Sequence, residues 1–133
     1  MSEINTRVIP VTVNVATDAA GNVNISCDPE TADVPKGLRD VLITFTLKGS
    51  GFSFSPTNAI VPDDHSNSDF PCASWTINDT LAGLYDRNKH AAKVKYTVNV
   101  VDSEGKPHSY DPEIKNGGDS GACGDDGDSD DDC

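Results

Sequence analysis

Six carboxylates crowd into eight positions near the end of the chain: Asp125, Asp126, Asp128, Asp130, Asp131 and Asp132. Carboxylate oxygens are what hard divalent cations such as Ca²⁺ take as ligands, so this cluster is a candidate metal site. Its spacing departs from an EF-hand loop. Asp126, Asp128 and Asp130 fall on alternate positions, but Asp131 stands where the turn glycine belongs, and no bidentate Glu follows. The plainer expectation is a solvated tail, with cation binding second and partner docking third. Asp119–Cys133 holds seven Asp and no basic residue. Such a segment repels itself and has almost nothing to bury.

The remaining reactive side chains are scattered. Cys123 and Cys133 flank the acidic cluster without the further Cys or His that a four-ligand zinc site needs. Cys27 and Cys72 lie near strand ends and read as buried, inert thiols. His65, His90 and His108 show no metal-ligand spacing and read as surface histidines. Asp63, Asp64 and His65 sit together in a polar surface loop, Pro62–Asp69. Asp111-Pro112 reads as a structural corner first and a binding feature second. Proline fixes φ, and the Asp carboxylate can accept nearby backbone N–H groups. These five residues, Asp63, Asp64, His65, Asp111 and Pro112, are the candidate binding residues. No nucleophile elbow, zinc-protease helix, phosphate loop or dinucleotide fingerprint occurs, so the expectation is a protein that is not an enzyme and holds no cofactor, the alternative being an enzyme whose site is assembled from distant loops and leaves no local motif.

The elements that must position these groups are strands. Val11, Val13 and Val15 alternate with polar residues, as do Val23, Ile25 and Cys27 after a turn at Asp18–Asn22. Pro10 places the start of the first strand at a sheet edge or bulge. Cys27–Gly37 reads as a polar loop. Val41–Leu47 puts Val41, Ile43, Phe45 and Leu47 on one face and is the expected central strand. Short strands follow at Phe52–Phe54 and Ala59–Val61. Ala73, Trp75 and Ile77 share a face, and Trp75 reads as a core anchor between sheets. Leu81–Tyr85 is ambiguous between strand and helical turn. Val94–Val100 alternates with Lys93, Lys95, Thr97 and Asn99, and the last strand runs from His108 to about Lys115, with Asp111-Pro112 inside it or just before it. No segment keeps a helical period. The fold expected is all-β, an antiparallel immunoglobulin-like β-sandwich of seven to eight strands over residues 1–117, with 118–133 as a flexible tail. A small barrel is the alternative.

Charge narrows the partners. The chain of 133 residues has 22 Asp and Glu against 10 Lys and Arg, a formal net charge of −12. The seven tail Asp leave −5 on residues 1–118, from 15 acidic and 10 basic groups. An acidic domain is a poor match for nucleic-acid phosphates or anionic lipid. The one basic cluster, Arg87, Lys89, His90, Lys93 and Lys95, reads as a solvated face, or as a surface for the tail or a partner. Met1–Asn5 carries no signal-peptide pattern and no apolar run spans a bilayer, so the expected location is the cytoplasm. A protein partner is the expectation, with its identity and the oligomeric state open.

His108-Ser109-Tyr110-Asp111-Pro112-Glu113-Ile114-Lys115-Asn116-Gly117 contains Asp-Pro-x-Ile-x-Asn, after a strand of the Lys93–Val101 type. Asp28-Pro29 is a second Asp-Pro, and a Glu-Pro dipeptide is absent. The chain resembles the DP-EP family, small bacterial proteins of unknown function. The resemblance implies an immunoglobulin-like β-sandwich over about residues 4–117 and brings no catalytic residues.

Overall fold

A computed structural model describes residues 8–63 and 69–118. Among them are eleven strands and no helix, and therefore no helix long and apolar enough to cross a membrane. The strands are β1 (Val8–Thr17), β2 (Val23–Asp28), β3 (Thr31–Val34), β4 (Val41–Lys48), β5 (Ser53–Phe54), β6 (Ile60–Pro62), β7 (Trp75–Asn78), β8 (Leu81–Asp86), β9 (Ala91–Val101), β10 (Pro107–Tyr110) and β11 (Glu113–Gly117).

They form two mixed sheets in a β-sandwich arrangement. The first runs β2-β1-β4-β8-β7, with β1 parallel to β4. The second runs β10-β9-β11-β3, with β11 parallel to β3, and with β5 and β6 also paired to β9. Alternation explains the packing. Val11, Val13, Val15, Val41, Ile43, Phe45, Leu47, Ala82 and Leu84 of the first sheet share one core with Ala32, Val34, Tyr96, Val98, Val100 and Ile114 of the second. Phe45 and Tyr96 meet across it with ring centroids 5.5 Å apart, a tilted pair. Each fully buried side chain of this kind contributes on the order of 1.5–3 kcal/mol relative to exposure.

The strand count exceeds seven or eight for a physical reason. β3, β5, β6, β7 and β10 have two to four residues each, too few to show a period. β3 lies in the stretch expected to be loop, where Ala32 and Val34 are buried. Leu81–Asp86 resolves as strand. Pro10 pairs with Thr44 of β4, while pairing to β2 covers only Thr12–Thr17, so the proline sits where that side of β1 has no ladder.

Asp111-Pro112 is not a corner. Tyr110 pairs with Val98 and Glu113 with Lys95, one unbroken register. β10 and β11 are thus two parts of one line of chain along β9. Pro112 cannot donate to the ladder, but its carbonyl accepts Tyr96 N–H at 3.0 Å.

Candidate functional site

Three regions concentrate the polar and exposed groups. The first is a shallow groove on the outer face of the second sheet. Cross-strand rows place Val61 beside Thr97, and Asp63 beside Lys95 and Glu113. Asp111 completes the first row, its carboxylate accepting Thr97 Oγ1–H at 2.8 Å instead of the expected backbone N–H. Val61, Pro62, Asp63, Lys95, Thr97 and Asp111 bound a space of about 360 Å³. Three candidate binding residues are therefore placed: Asp63 and Asp111 come together, and Pro112 follows Asp111 in the chain. Asp64 and His65 lie outside the described residues, as do all six tail aspartates. Of the basic cluster, Lys93 and Lys95 do share this face, interleaved with Asp33, Asp63 and Glu113 and joined by Lys115.

The second region is a buried polar clamp at one end of the sandwich. Asp69, Asp86, Asn88 and Asn116 are all buried. Asn116 Nδ2 donates to Asp69 Oδ2 at 3.3 Å and to Asp86 Oδ1 at 3.1 Å. Asp69 also accepts the backbone N–H of Lys89 and of His90, and lies 3.0 Å from His90 Nδ1. Asn88, in a left-handed conformation, donates to the carbonyls of Pro35 and Leu38 and accepts Gly118 N–H. One amide thus joins the end of β8 in one sheet to the end of β11 in the other. The Asp-Pro-x-Ile-x-Asn segment has a structural job: Ile114 fills the core and Asn116 closes the clamp. His90 is a surface histidine as expected, and in addition its Nδ1 meets the buried Asp69.

A second histidine is also engaged. His108 Nε2 lies 3.0 Å from Asp102 Oδ2, and its ring meets Phe52 edge-on at 6.0 Å. The histidine and two backbone N–H groups hold the Asp102 carboxyl down at about 2. Among the described residues no group of three or more His, Cys, Asp or Glu is placed to hold a metal ion.

The third region is the outer face of the first sheet. Trp75 is not a core anchor: it is 49% exposed, and Ile77 58%. Alternation in Ser74–Asn78 was legible, but its phase is inverted. Ser74 Oγ accepts Ile60 N–H at 3.2 Å, and Thr76 Oγ1–H donates to the Ser55 carbonyl at 2.7 Å. The backbone of the β5–β6 segment needs these hydroxyls at the sandwich edge, so the polar phase turns in and the apolar phase turns out. Trp75 pairs with Gly83, and Thr44 pairs with Gly83 from the other side. The position a Gly83 Cβ would take lies 3.6 Å from Trp75 Cε3, so the indole lies over the strand where the glycine leaves room. The neighbouring rows are Thr12–Thr46–Leu81–Asn78 and Val8–Leu42–Tyr85. Among the described residues this face carries Lys48 on β4 and Asp28 on β2, and beside the Tyr85 row Asp40, whose carboxylate accepts Tyr85 Oη–H at 2.6 Å, with Arg87 close by.

The thiols divide. Cys27 is buried, and burial pushes it up to about 11, fitting an inert core group. Cys72 is exposed, against expectation, because it precedes β7 in the segment between Phe70 and Trp75 and not within a strand. The two are not bridged.

No family model and no curated protein matches the chain.

Proposed function

We propose that this chain is a non-enzymatic binding module on an immunoglobulin-like β-sandwich of the DP-EP kind, and that it engages its partner through the outer face of the first sheet. The observation that carries this reading is Trp75, 49% exposed, with Ile77, 58% exposed, on the same strand of that face. Exposed tryptophan is the side chain most enriched among residues that dominate binding energy. An apolar group left in water next to a well-filled core has no folding rationale beyond shielding Gly83.

Capture from cell extract tests the reading with three baits: the unaltered chain, Trp75→Ser and Lys95→Glu. Retention of a ligand by the first and third but not the second supports it. Equal retention by all three overturns the assignment to this face.

A further inference from the structure

The two ends of the sandwich differ in charge. The clamp end carries Lys36 and Arg39 between β3 and β4, Arg87 and Lys89 between β8 and β9, Lys93 of β9 and Lys115 of β11. These are six of the nine Lys and Arg among the described residues. Its carboxylates are four. Asp69 and Asp86 are buried in the clamp, Asp69 beside His90, while Asp33 and Asp40 are exposed and Asp40 accepts Tyr85 Oη–H. The row Asp63, Lys95, Glu113 lies beyond. At the other end the turns hold Asp18, Asp79, Asp102 and Glu104 against Lys48 and Lys106. An acidic chain thus has one end where cations outnumber carboxylates.

The lysines of that end lack partners within the fold. Arg39 and Arg87 are engaged. Lys36, Lys89, Lys93 and Lys115 form no ion pair among the described residues, whereas Lys106 at the other end lies 3.9 Å from Glu104. Lys93 and Lys115 stand directly opposite each other on neighbouring strands, about 5 Å apart in the ladder. Like charges so placed are unfavourable. Asp33, on the far side of Lys115, is one carboxylate for two ammonium groups.

The polyanion of the chain begins at the same place. Gly118 is fixed in the clamp: its N–H donates to Asn88 Oδ1 at 2.9 Å and its carbonyl accepts Gly37 N–H at 2.8 Å. A Cβ on Gly118 would fall 2.7 Å from Ala91 N, and one on Gly117 2.5 Å from Lys36 N. Residues 119–133 therefore set out from between Lys36 and Ala91, and they hold seven Asp and no Lys or Arg. A flexible chain of that length spans about 20–25 Å on average. Tethering keeps its carboxylates at roughly millimolar effective concentration around the four lysines.

We infer that residues 119–133 fold back on the clamp end and lie over Lys36, Lys89, Lys93 and Lys115, so that the chain carries its own acidic ligand there. Exposed ion pairs are individually weak, and screening acts beyond about 8 Å at physiological ionic strength, so the contact is cumulative and salt-sensitive. It does not involve the Trp75 face.

A nitroxide on Cys133 tests this in the full chain, with Cys72→Ser and Cys123→Ser to leave one accessible thiol; Cys27 is buried. Paramagnetic broadening of the ¹⁵N-amide signals is read at about 20 mM and about 0.5 M NaCl. The expected result is stronger broadening at Lys36, Lys89 and Lys93 than at Ala20, Asp79 and Glu104 in low salt. It should fall about twofold or more in high salt, and likewise in low salt when Lys36→Glu and Lys93→Glu are combined. The diamagnetic spectrum shows whether that variant is folded, and the salt comparison decides without it. Broadening at the clamp end that salt leaves unchanged belongs to a tail that hangs from Gly118 without docking, and overturns the inference. Equal broadening at both ends overturns it too. So does equal broadening of an unlabelled ¹⁵N chain by a spin-labelled ¹⁴N chain, which would give the lysines to the tail of a second copy.

Discussion

The two outer faces of the sandwich share one core but are built from different residues. Both inner faces obey the same alternation of Val, Ile, Leu and aromatic side chains. Outside, the second sheet is a charge ladder: Asp63, Lys95 and Glu113 in one row, Lys93, Lys115 and Asp33 in the next. The first sheet answers with Pro10, Thr44, Gly83 and Trp75 in one row and Thr12, Thr46, Leu81 and Asn78 in another. Interleaved charges keep a sheet solvated and discourage unwanted pairing. A row of Pro10, Thr44, Gly83 and an exposed indole does neither. The inward phase of a strand is fixed by burial, whereas the outward phase is free to carry recognition.

The comparison breaks most severely where the two sheets are tied together. Asn116→Leu removes the amide that joins Asp69 and Asp86 and leaves two buried carboxylates short of donors. It should cost about 3 kcal/mol of stability, read as a lower urea midpoint, and should damage both faces together. Gly117→Ala should act on the same end, because its Cβ would fall 2.5 Å from Lys36 N, a backbone atom that cannot swing aside. Trp75→Ala sharpens the contrast. Uncovering Gly83 should cost only about 0.5–1 kcal/mol, since cross-strand pairs are worth that much, while ligand capture is lost. A Trp75 whose removal costs several kcal/mol would instead be a packing residue.

On the charged face, Lys95→Glu should change stability by less than about 1 kcal/mol and the change should shrink in salt, because exposed pairs are weak and screened. The smallest effect concerns Asp102, in the turn between β9 and β10 of the second sheet. Its carboxyl is depressed in the folded state from 3.8 to about 2. A depressed acid stabilises the fold above its unfolded value and loses that contribution as pH falls through the folded one. The acid limb between about pH 4 and pH 2 should therefore flatten in His108→Gln, measured by melting temperature against pH. An unchanged limb would remove Asp102 from the acid response.

Much of this was legible in the chain. The Val41–Leu47 strand, the Val94–Val100 alternation, the burial of Cys27 and the all-β class follow from period two alone. What was not legible depends on partners far away in sequence. Trp75 has the composition of a core residue, and only the hydroxyl needs of Ile60 and Ser55 turn it outward. Asp69 looks like one more loop carboxylate until Asn116 and the Lys89 and His90 amides converge on it. Asp111-Pro112 resembles a corner because proline usually ends a ladder, yet here only its missing donor is skipped and the register runs on. Short strands such as β3 carry too few residues to show a pattern. They are strands because β11 lies alongside.

That last pairing has a consequence for the order of assembly. β3 leaves the first third of the chain with a partner for its sheet that is synthesised only at residues 113–116, and β9 must be present before β5, β6, β10 or β11 can pair. Loop closure over such distances comes before any reward from contact. The domain should therefore fold late and as a unit after synthesis has passed β11, so a truncated chain ending before Glu113 should expose Ala32 and Val34 and aggregate.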